Sequence, residues 1–305
     1  MQSLKGLDMY RRVSSDHSQQ TYKGGLLTLI VGILMTLLFI HELHDFNTHE
    51  ILKENYISQE TSSSLVQINL DISVYHFPCV SLSLDQQDDV GKHILDSSEH
   101  LKKIRLNKFG KEISTEYKVS LKELSLALEN DEGCRIQGHI FVTRLPGNFH
   151  ISYHAIGNMI RQLPEELKRK FKIGHFIHNL SIGNEDLTHL IESEFETNEI
   201  LSIYNQTSKE LPTTTRYDYY IKIIPLEFIN EPLDQITNTY QFYMISNTIN
   251  SPGWVPSIFF RYDFESITTK YTKVNKKLGP FIVSLCAILG GFFTLSTLAN
   301  KLINN

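Results

Sequence analysis

The sequence predicts a mainly β fold, in which an antiparallel β-sandwich is inserted between two transmembrane helices. Two uncharged apolar stretches lie near the ends of the 305-residue chain. Between them, polar and apolar residues alternate repeatedly, and no regular succession of helices separates the alternating segments. Strands without intervening helices bury their apolar faces by packing one antiparallel sheet on another, which predicts the sandwich.

The first apolar stretch, residues 24–40, predicts a transmembrane helix. It reads GGLLTLIVGILMTLLFI, and a helix of this length rises about 25 Å, close to the minimum for a bilayer. A signal peptide has a similar composition, but a long polar segment precedes this stretch. HELHDF follows it in place of a cleavage site with small residues. We therefore expect a retained helix.

The second apolar stretch, residues 279–299, predicts another transmembrane helix. It reads GPFIVSLCAILGGFFTLSTLA and is long enough to cross a bilayer comfortably. The alternative, a buried helix of a soluble protein, is disfavoured by this length. The pair Gly290 and Gly291 suggests a close contact with another helix, although small residues are common in membrane helices.

Charges outside the two stretches predict that both chain ends are cytosolic. Residues 1–23 form a tail with an excess of positive charge, which favours the cytosol. The charged residues of this tail are Lys5, Arg11, Arg12 and Lys23 against Asp8 and Asp16. Two spans return the tail of residues 300–305 to the cytosol and leave residues 41–278 as one lumenal β-rich domain. Lysines before the second span oppose this orientation, but long translocated domains largely escape the charge rule.

Covalent modifications are expected in the lumenal region. It contains the sequons Asn179-Leu180-Ser181 and Asn205-Gln206-Thr207, which predict glycosylation of Asn179 and Asn205. Cys79 and Cys134 are its two cysteines, and an oxidising compartment favours a disulfide between them. The net charge of −5 argues against nucleic acid as a partner.

Alternation predicts the individual strands. Residues 65–77 place five apolar residues on one face: Val66, Ile68, Leu70, Ile72 and Val74. A second strand is predicted after Pro78, with Val80, Leu82 and Leu84 inward and a turn over residues 86–91. Further strands are predicted over residues 134–142, 217–228, 239–246 and 257–271, with a turn at 146–148. Two segments are ambiguous: residues 93–110, where HLKKIRLNKFG could end a hairpin, and residues 117–131, which fit a short helix about as well as a strand. Residues 163–172 predict an exposed helical insertion.

One segment raises the question of a metal site, because residues 133–154 contain a cysteine and three histidines. Zinc needs three or four converging ligands, and neither CxxC nor HExxH supplies them locally. GxSxG elbows and phosphate-binding loops are also missing from the sequence. We therefore expect no metal ligand, no catalytic residue and no cofactor, with His150 and His154 bonded to backbone or lining a surface groove.

The histidines suggest one further hypothesis. Imidazole changes charge near pH 6.5, so lumenal histidines could let the affinity for a bound molecule differ between a near-neutral and a more acidic compartment. The candidates are His139, His150, His154, His175 and His178.

Several blocks together resemble the ER-Golgi intermediate compartment (ERGIC) protein family of cargo receptors in ER-derived vesicles. The blocks run from residue 4 to residue 298 and are LKGLDMYRRVSSDHSQQTYKGG, HELHDFNTHE, FPCVSLSLDQQDDVG, GCRIQGHIFVTRLPGNFHIS, HFIHNLSIG, YYIKIIP, IFFRYDFESITTKYT and CAILGGFFTL. The compact chain is most similar to the short member, since it lacks the additional cysteine cluster of the longest one.

The resemblance implies a non-enzymatic cargo-receptor subunit that cycles between the ER, the intermediate compartment and the cis-Golgi. It implies a related family subunit as partner, together with lumenal cargo, membrane lipids and the COPI and COPII coats. Cys79 and Cys134 match the family's lumenal cysteines, and GNFH its most recognisable lumenal motif. We predict an interaction surface from that motif and the HFIHNLSIG block, comprising Gly147, Asn148, Phe149, His150, His175 and His178.

Two departures from the family pattern affect sorting. The family's LSFG reads Leu180-Ser181-Ile182-Gly183, and the ending NKLINN has no clear coat-binding signal. A partner subunit could supply that signal. An accessory subunit of a lipid flippase and a ligand-gated channel share the two-helix topology and are the alternative functions, although channels usually place polar or ionisable groups inside their helices.

Overall fold

The computed structural model describes residues 22–57, 64–89, 91, 93–97, 99–184, 186–187, 191, 195, 202–207, 215–250 and 256–303. Its helices are α1 Tyr22–Phe46, α2 Leu121–Glu129, α3 Gly157–Arg161, α4 Glu165–Lys168 and α5 Leu278–Ile303. Its strands are β1 His49–Ile57, β2 Leu65–Val74, β3 Ser83–Asp88, β4 His93–Ile94, β5 Leu101–Leu106, β6 Glu112–Ser114, β7 Gly133–Thr143, β8 Gly147–Ser152, β9 His175–Ile182, β10 Ser202–Thr207, β11 Thr215–Asn230, β12 Gln235–Asn250, β13 Ser257–Phe264 and β14 Ile267–Asn275.

The chain divides into a helical unit, residues 1–50 with 274–305, and a β unit, residues 51–273. In the helical unit, α1 and α5 pack against each other. The rings of Phe46 and Phe281 stack with centroids 4.4 Å apart, and Lys276 Nζ lies 2.6 Å from Asp45 Oδ2. Both predicted apolar helices are confirmed. The parts long and apolar enough to cross a membrane are Leu29–Phe46 and Leu278–Ala299, and neither is buried in the chain.

The pair Gly290 and Gly291 does not contact α1. A Cβ atom added at either glycine would meet no atom within 4 Å. The close helix contact suggested by these glycines is therefore not made within the described part of this chain.

The β unit consists of two facing sheets, which confirms the predicted sandwich. The second sheet has the strand order β10-β9-β2-β7-β5-β6, and every pairing in it is antiparallel. The first sheet has the order β1-β14-β11-β13-β8-β3-β4, with β12 paired to β11. The facing sides of both sheets contribute to one hydrophobic cluster.

The first sheet is mixed, which corrects the purely antiparallel expectation. The long strand β11 pairs antiparallel with β12 over its whole length. Its first half pairs parallel with β13, and its second half pairs parallel with β14. Glu265, between β13 and β14, also bonds to β11 through its backbone N–H. The predicted single strand over residues 257–271 is thus two successive strands beside one long neighbour.

Alternation correctly identifies the core face of the second sheet. All five apolar residues predicted to face inward from β2 are at most 2% exposed. In β7, Cys134 and Ile136 are fully buried, whereas Arg135 between them is partly exposed and Gln137 is exposed. Because the period of a strand is two, this pattern fixes which side of the sheet contacts the first sheet.

The disulfide between Cys79 and Cys134 is present, as predicted. Cys134 lies in β7 of the second sheet, and Cys79 lies in the turn that precedes β3 of the first sheet. Both residues belong to the hydrophobic cluster. The bond therefore ties the two sheets together from within the core.

The structure resolves one ambiguous segment, residues 117–131, as the helix α2. Ser120 caps it, since its Oγ accepts a hydrogen bond from the backbone N–H of Glu123 at 3.2 Å. Leu124, Ala127 and Leu128 are buried, at a spacing that places them on one helix face. The conformational propensities of these residues do not distinguish a helix from a strand, but the Ser120 cap and the spacing of the apolar residues favour the helix.

Two other local predictions are wrong in part. Residues 86–88 continue β3 instead of turning, because β8 pairs with them as far as Gly147. That pairing also places Gly147 and Asn148 in a strand. Residues 163–172 are not an exposed insertion, because Leu163 and Phe171 are buried and the Phe171 ring contacts Phe77 at 5.4 Å between centroids.

Candidate functional site

The GNFH motif forms the start of β8, between β3 and β13. The ring of Phe149 is fully buried and stacks on Phe260 with centroids 4.7 Å apart. A Cβ added at Gly147 would lie 2.7 Å from the carbonyl oxygen of Gln87 and 2.7 Å from the hydroxyl of Tyr262. Residue 147 therefore has to be glycine, because neighbouring atoms approach its Cα too closely for a side chain. Phe149 is required because its ring fills space in the core.

His150, the last residue of the motif, belongs to a cluster with Asp85 and His154. Asp85 lies opposite His150 across the β3–β8 pairing and is fully buried. Asp85 Oδ2 is 3.6 Å from His150 Nε2 and 3.4 Å from His154 Nδ1. The side chain of His154 is 45% exposed, so the cluster opens to solvent on that side.

The cluster combines a carboxylate with a neutral imidazole. Burial lowers the pKa of His150 to about 4, because the interior disfavours its charged form. Burial alone would raise the pKa of Asp85, but hydrogen bonds from His154 and from the Asp96 backbone N–H outweigh it and lower that pKa. Near neutral pH, Asp85 is therefore ionised and His150 is uncharged.

His175 occupies a different buried position, on the other sheet. Its Nδ1 is 2.8 Å from the carbonyl oxygen of Ile173, which can only accept, so Nδ1 carries the proton. Its Nε2 then accepts a hydrogen bond from the Tyr219 hydroxyl at 2.6 Å. Burial lowers the pKa of His175 to about 4. His175 and His150 thus stay neutral from pH 7.2 to pH 6 and do not supply the pH-dependent cargo affinity considered above.

The predicted interaction surface therefore needs correction. Phe149, His150 and His175 are buried by the packing between and around the sheets, so their side chains cannot contact a partner. Gly147, Asn148 and His178 are partly exposed, and for them the prediction stands untested. His178 Nε2 lies 2.8 Å from Ser73 Oγ on the outer side of the second sheet.

His175 predicts how stability depends on pH. Its pKa is about 4 in the folded chain and about 6.5 in an unfolded one, so the unfolded chain binds more protons between these values. This group should lower the free energy of unfolding by about 3 kcal/mol as the pH drops from 6.5 to 4, with little change above that range. His150, whose folded pKa is also about 4, should add to the loss over the same range. Unfolding of the detergent-purified chain at a series of pH values measures this slope.

The substitution His175→Gln should make the slope shallower by the share of this one group, because glutamine does not titrate and can still accept from Tyr219, whereas His150 still contributes. His49→Gln, at an exposed position, is the matched control and should leave the slope unchanged. Identical slopes in the wild type and His175→Gln would contradict the assignment.

A polar groove of about 470 Å³ lies on the outer face of the second sheet. It is lined by outward-facing residues of β2, β7 and β9 and by the loop after β9, among them Gln67, Asn69, Asp71, Gln137, His139, Asn179, Asn184 and Asp186. The alternation of residues 65–77 and 134–142 places Gln67, Asn69, Asp71, Gln137 and His139 on this face. The alternation does not predict that these residues line a groove together with residues of β9.

The groove is held in shape by hydrogen bonds between its own side chains. Arg135 binds both carboxylate oxygens of Asp71 at 2.6 Å, and Gln67 Nε2 donates to Asn69 Oδ1 at 2.6 Å. Asn69 Nδ2 in turn donates to Ser181 Oγ and to the Gly183 carbonyl. Amides, a carboxylate and an imidazole in one fixed concavity are suited to binding polar groups of another molecule.

Comparisons with known proteins cover most of the chain. Residues 4–95 match the family described as Endoplasmic Reticulum-Golgi Intermediate Compartment (ERGIC), and residues 111–300 match Endoplasmic reticulum vesicle transporter. The chain is 30% identical to Endoplasmic reticulum-Golgi intermediate compartment protein 1 of Xenopus laevis, over 98% of this chain and 93% of that protein. It is 24% identical to ER-derived vesicles protein ERV41 of Saccharomyces cerevisiae, over 94% and 88%.

A solved structure supports the fold. The crystal structure of Erv41p aligns with a TM-score of 0.50 and 22% identity, covering 72% of this chain and 99% of that chain. The family matches and the two apolar helices agree with the resemblance seen in the sequence. The chain therefore belongs to the ER-Golgi intermediate compartment family, membrane proteins of vesicle transport between the ER and the Golgi.

Proposed function

We propose that this chain is a non-enzymatic cargo-receptor subunit that cycles between the ER and the cis-Golgi. The observation that carries the proposal is the polar groove on the outer face of the second sheet, because it is a wide concave surface lined by several hydrogen-bonding side chains. Membership of a vesicle-transport family makes a soluble lumenal protein the class of ligand that fits such a surface.

The proposed topology places the β-rich domain, residues 41–278, in the lumen. Residues 24–40 and 279–299 span the membrane, and residues 1–23 and 300–305 form cytosolic tails. The Cys79–Cys134 bond supports a lumenal domain, since disulfides persist in oxidising compartments and are rare in the cytosol. The described residues begin at Tyr22 and end at Ile303, so most of the N-terminal tail lies outside them.

A related family subunit is the proposed partner. The uncovered pair Gly290 and Gly291 in α5 would let a helix of that subunit approach closely. We propose that the partner contacts the COPI and COPII coats for both chains.

Glycosylation gives a test of the lumenal placement. Asn205 is exposed in the strand β10 at the sheet edge, so we expect it to carry a glycan. Asn179 is half-buried and lines the groove, so a glycan there would obstruct it. We therefore expect Asn179 to be unmodified in the cargo-binding form.

Gel mobility before and after endoglycosidase digestion measures occupancy. Digestion should shift the wild type and Asn179→Gln, but should not shift Thr207→Ala, which destroys the second sequon and leaves Asn205 in place. A digestion shift that persists in Thr207→Ala would contradict this assignment, and no shift in the wild type would argue against lumenal exposure.

In this proposal, a cargo protein binds in the groove through hydrogen bonds to its polar side chains. Gln137 is exposed at its wall, and its Nε2 lies 3.4 Å from Asp71 Oδ2, so it has capacity to bond elsewhere. A guanidinium at position 137 would fill part of the groove and change its charge without touching the core. Gln137→Arg is therefore the variant that separates groove function from folding.

The experiment restores variants to cells that lack the chain and measures which ER residents escape into the medium. Wild type should restore retention, and Gln137→Arg should leave at least a threefold excess of specific residents outside the cell. Gln162→Arg, the same change at an exposed position away from the groove, should behave as wild type. Equal retention by all three chains would reject the groove as the cargo site.

A further inference from the structure

The cluster of Asp85, His150 and His154 has the dimensions of a metal site. His150 Nε2 and His154 Nδ1 are 3.5 Å apart, and Asp85 Oδ2 is 3.6 Å and 3.4 Å from them. These three atoms form a nearly equilateral triangle. Each residue thus offers one ligand atom close to the ligand atoms of the other two.

The size of this triangle fits zinc. The centre of a triangle with sides near 3.5 Å lies about 2.0 Å from each corner, which is the length of zinc bonds to histidine nitrogen and carboxylate oxygen. In a tetrahedral site with bonds near 2.1 Å, ligand atoms are about 3.4 Å apart. The triangle therefore corresponds to one face of a zinc tetrahedron. Calcium and magnesium prefer oxygen ligands in larger numbers, so two imidazoles disfavour both ions.

Neighbouring groups hold the ligands in the required orientation. Asn148 Oδ1 lies 3.2 Å from His150 Nδ1 and accepts a hydrogen bond from its N–H. His150 Nε2 therefore carries no proton and presents a lone pair to the centre of the cluster. Asp85 Oδ1 accepts from the backbone N–H of Asp96 at 2.9 Å, which leaves Oδ2 directed at the histidines. The His150 ring stacks on Phe259, with centroids 4.5 Å apart.

Two hydroxyls and one cation complete the surroundings. Ser152 Oγ and Ser83 Oγ lie 3.3 Å and 3.4 Å from Asp85 Oδ2. Arg261 is the nearby cation, and its Nε is directed to Asp218 at 3.4 Å instead of to Asp85. With His150 Nε2 accepting, two acceptor atoms face each other 3.6 Å apart, and a bound cation would remove this repulsion.

We propose that Asp85, His150 and His154 bind one zinc ion whose fourth position faces solvent beside the exposed side of His154. Such an ion would join β3, β8 and the turn after β8, which are close only in the folded sandwich. The expectation from the sequence was that no metal binds. It rested on local spacing, and Asp85 lies far from both histidines in the chain.

The test uses the full chain purified in detergent, stripped with a chelator and dialysed against zinc chloride. We expect one zinc ion per wild-type chain, with about 100-fold weaker binding in His154→Ala and Asp85→Asn. Cobalt as a substitute should give the visible absorption of a tetrahedral site in the wild type only. Because His154→Ala removes a hydrogen bond to the buried Asp85 carboxylate, its zinc-free thermal midpoint should fall slightly, and circular dichroism should show that the variant keeps the fold.

His139→Ala is the control, since His139 stacks on His100 and forms the competing histidine pair. It should bind one zinc ion with wild-type affinity. The proposal is overturned if wild type binds no stoichiometric zinc, if His154→Ala binds as tightly as wild type, or if His139→Ala is the variant that loses the ion.

Discussion

Replacing both Cys79 and Cys134 with alanine should lower the free energy of unfolding by about 4 kcal/mol. The bond closes a loop with a sequence separation of 55, and opening it returns conformational freedom to the unfolded chain. Both cysteines also lie in the core between the sheets, so the substitution removes sulfur contacts there. Chemical unfolding of the detergent-purified chain, followed by circular dichroism, measures the loss.

Cys286→Ala is the matched control for this prediction. Cys286 is a free, exposed cysteine in α5, so its removal should change the free energy of unfolding by less than about 0.5 kcal/mol. A double variant as stable as Cys286→Ala would show that the bond contributes nothing to the fold.

Phe149→Ala should destabilise the chain by about 3–5 kcal/mol. The ring is fully buried, stacks on Phe260 and also contacts Tyr262 at 6.4 Å between centroids. Truncation leaves a cavity that the paired strands β3, β8 and β13 cannot close without breaking register. The unfolding experiment described for the cysteine variant gives this value.

Phe109→Ala makes the identical chemical change at a side chain that is 82% exposed, and it should cost less than about 0.5 kcal/mol. If Phe149→Ala were equally mild but weakened cargo binding, the GNFH motif would be a contact surface after all, and its assignment to the core would be wrong.

Short-range patterns predict a large part of this fold. The alternation of Val66, Ile68 and Leu70 determines which side of β2 is buried, because that period is set by the strand itself. Two long uncharged stretches similarly predict α1 and α5 from composition alone. The Cys79–Cys134 pairing follows because the region offers no other cysteine.

Features that depend on long-range pairing could not be predicted. The parallel pairing of β13 and β14 with one long strand has no local signature. The register that brings Asp85 opposite His150 is likewise fixed by the pairing of β3 with β8. The sequence therefore shows that the two histidines are close together, but not that the Asp85 carboxylate lies beside them. Burial of Phe171 was also missed, since its segment is rich in charge.

The most direct test of the receptor proposal is mass spectrometry of proteins that co-purify with this chain from gently solubilised, crosslinked membranes. We predict recovery of a related family subunit, coat subunits and a set of soluble lumenal proteins, with the lumenal set reduced for Gln137→Arg. Recovery of a lipid flippase, or of this chain alone as a small oligomer, would contradict the proposal and favour an accessory-subunit or channel function.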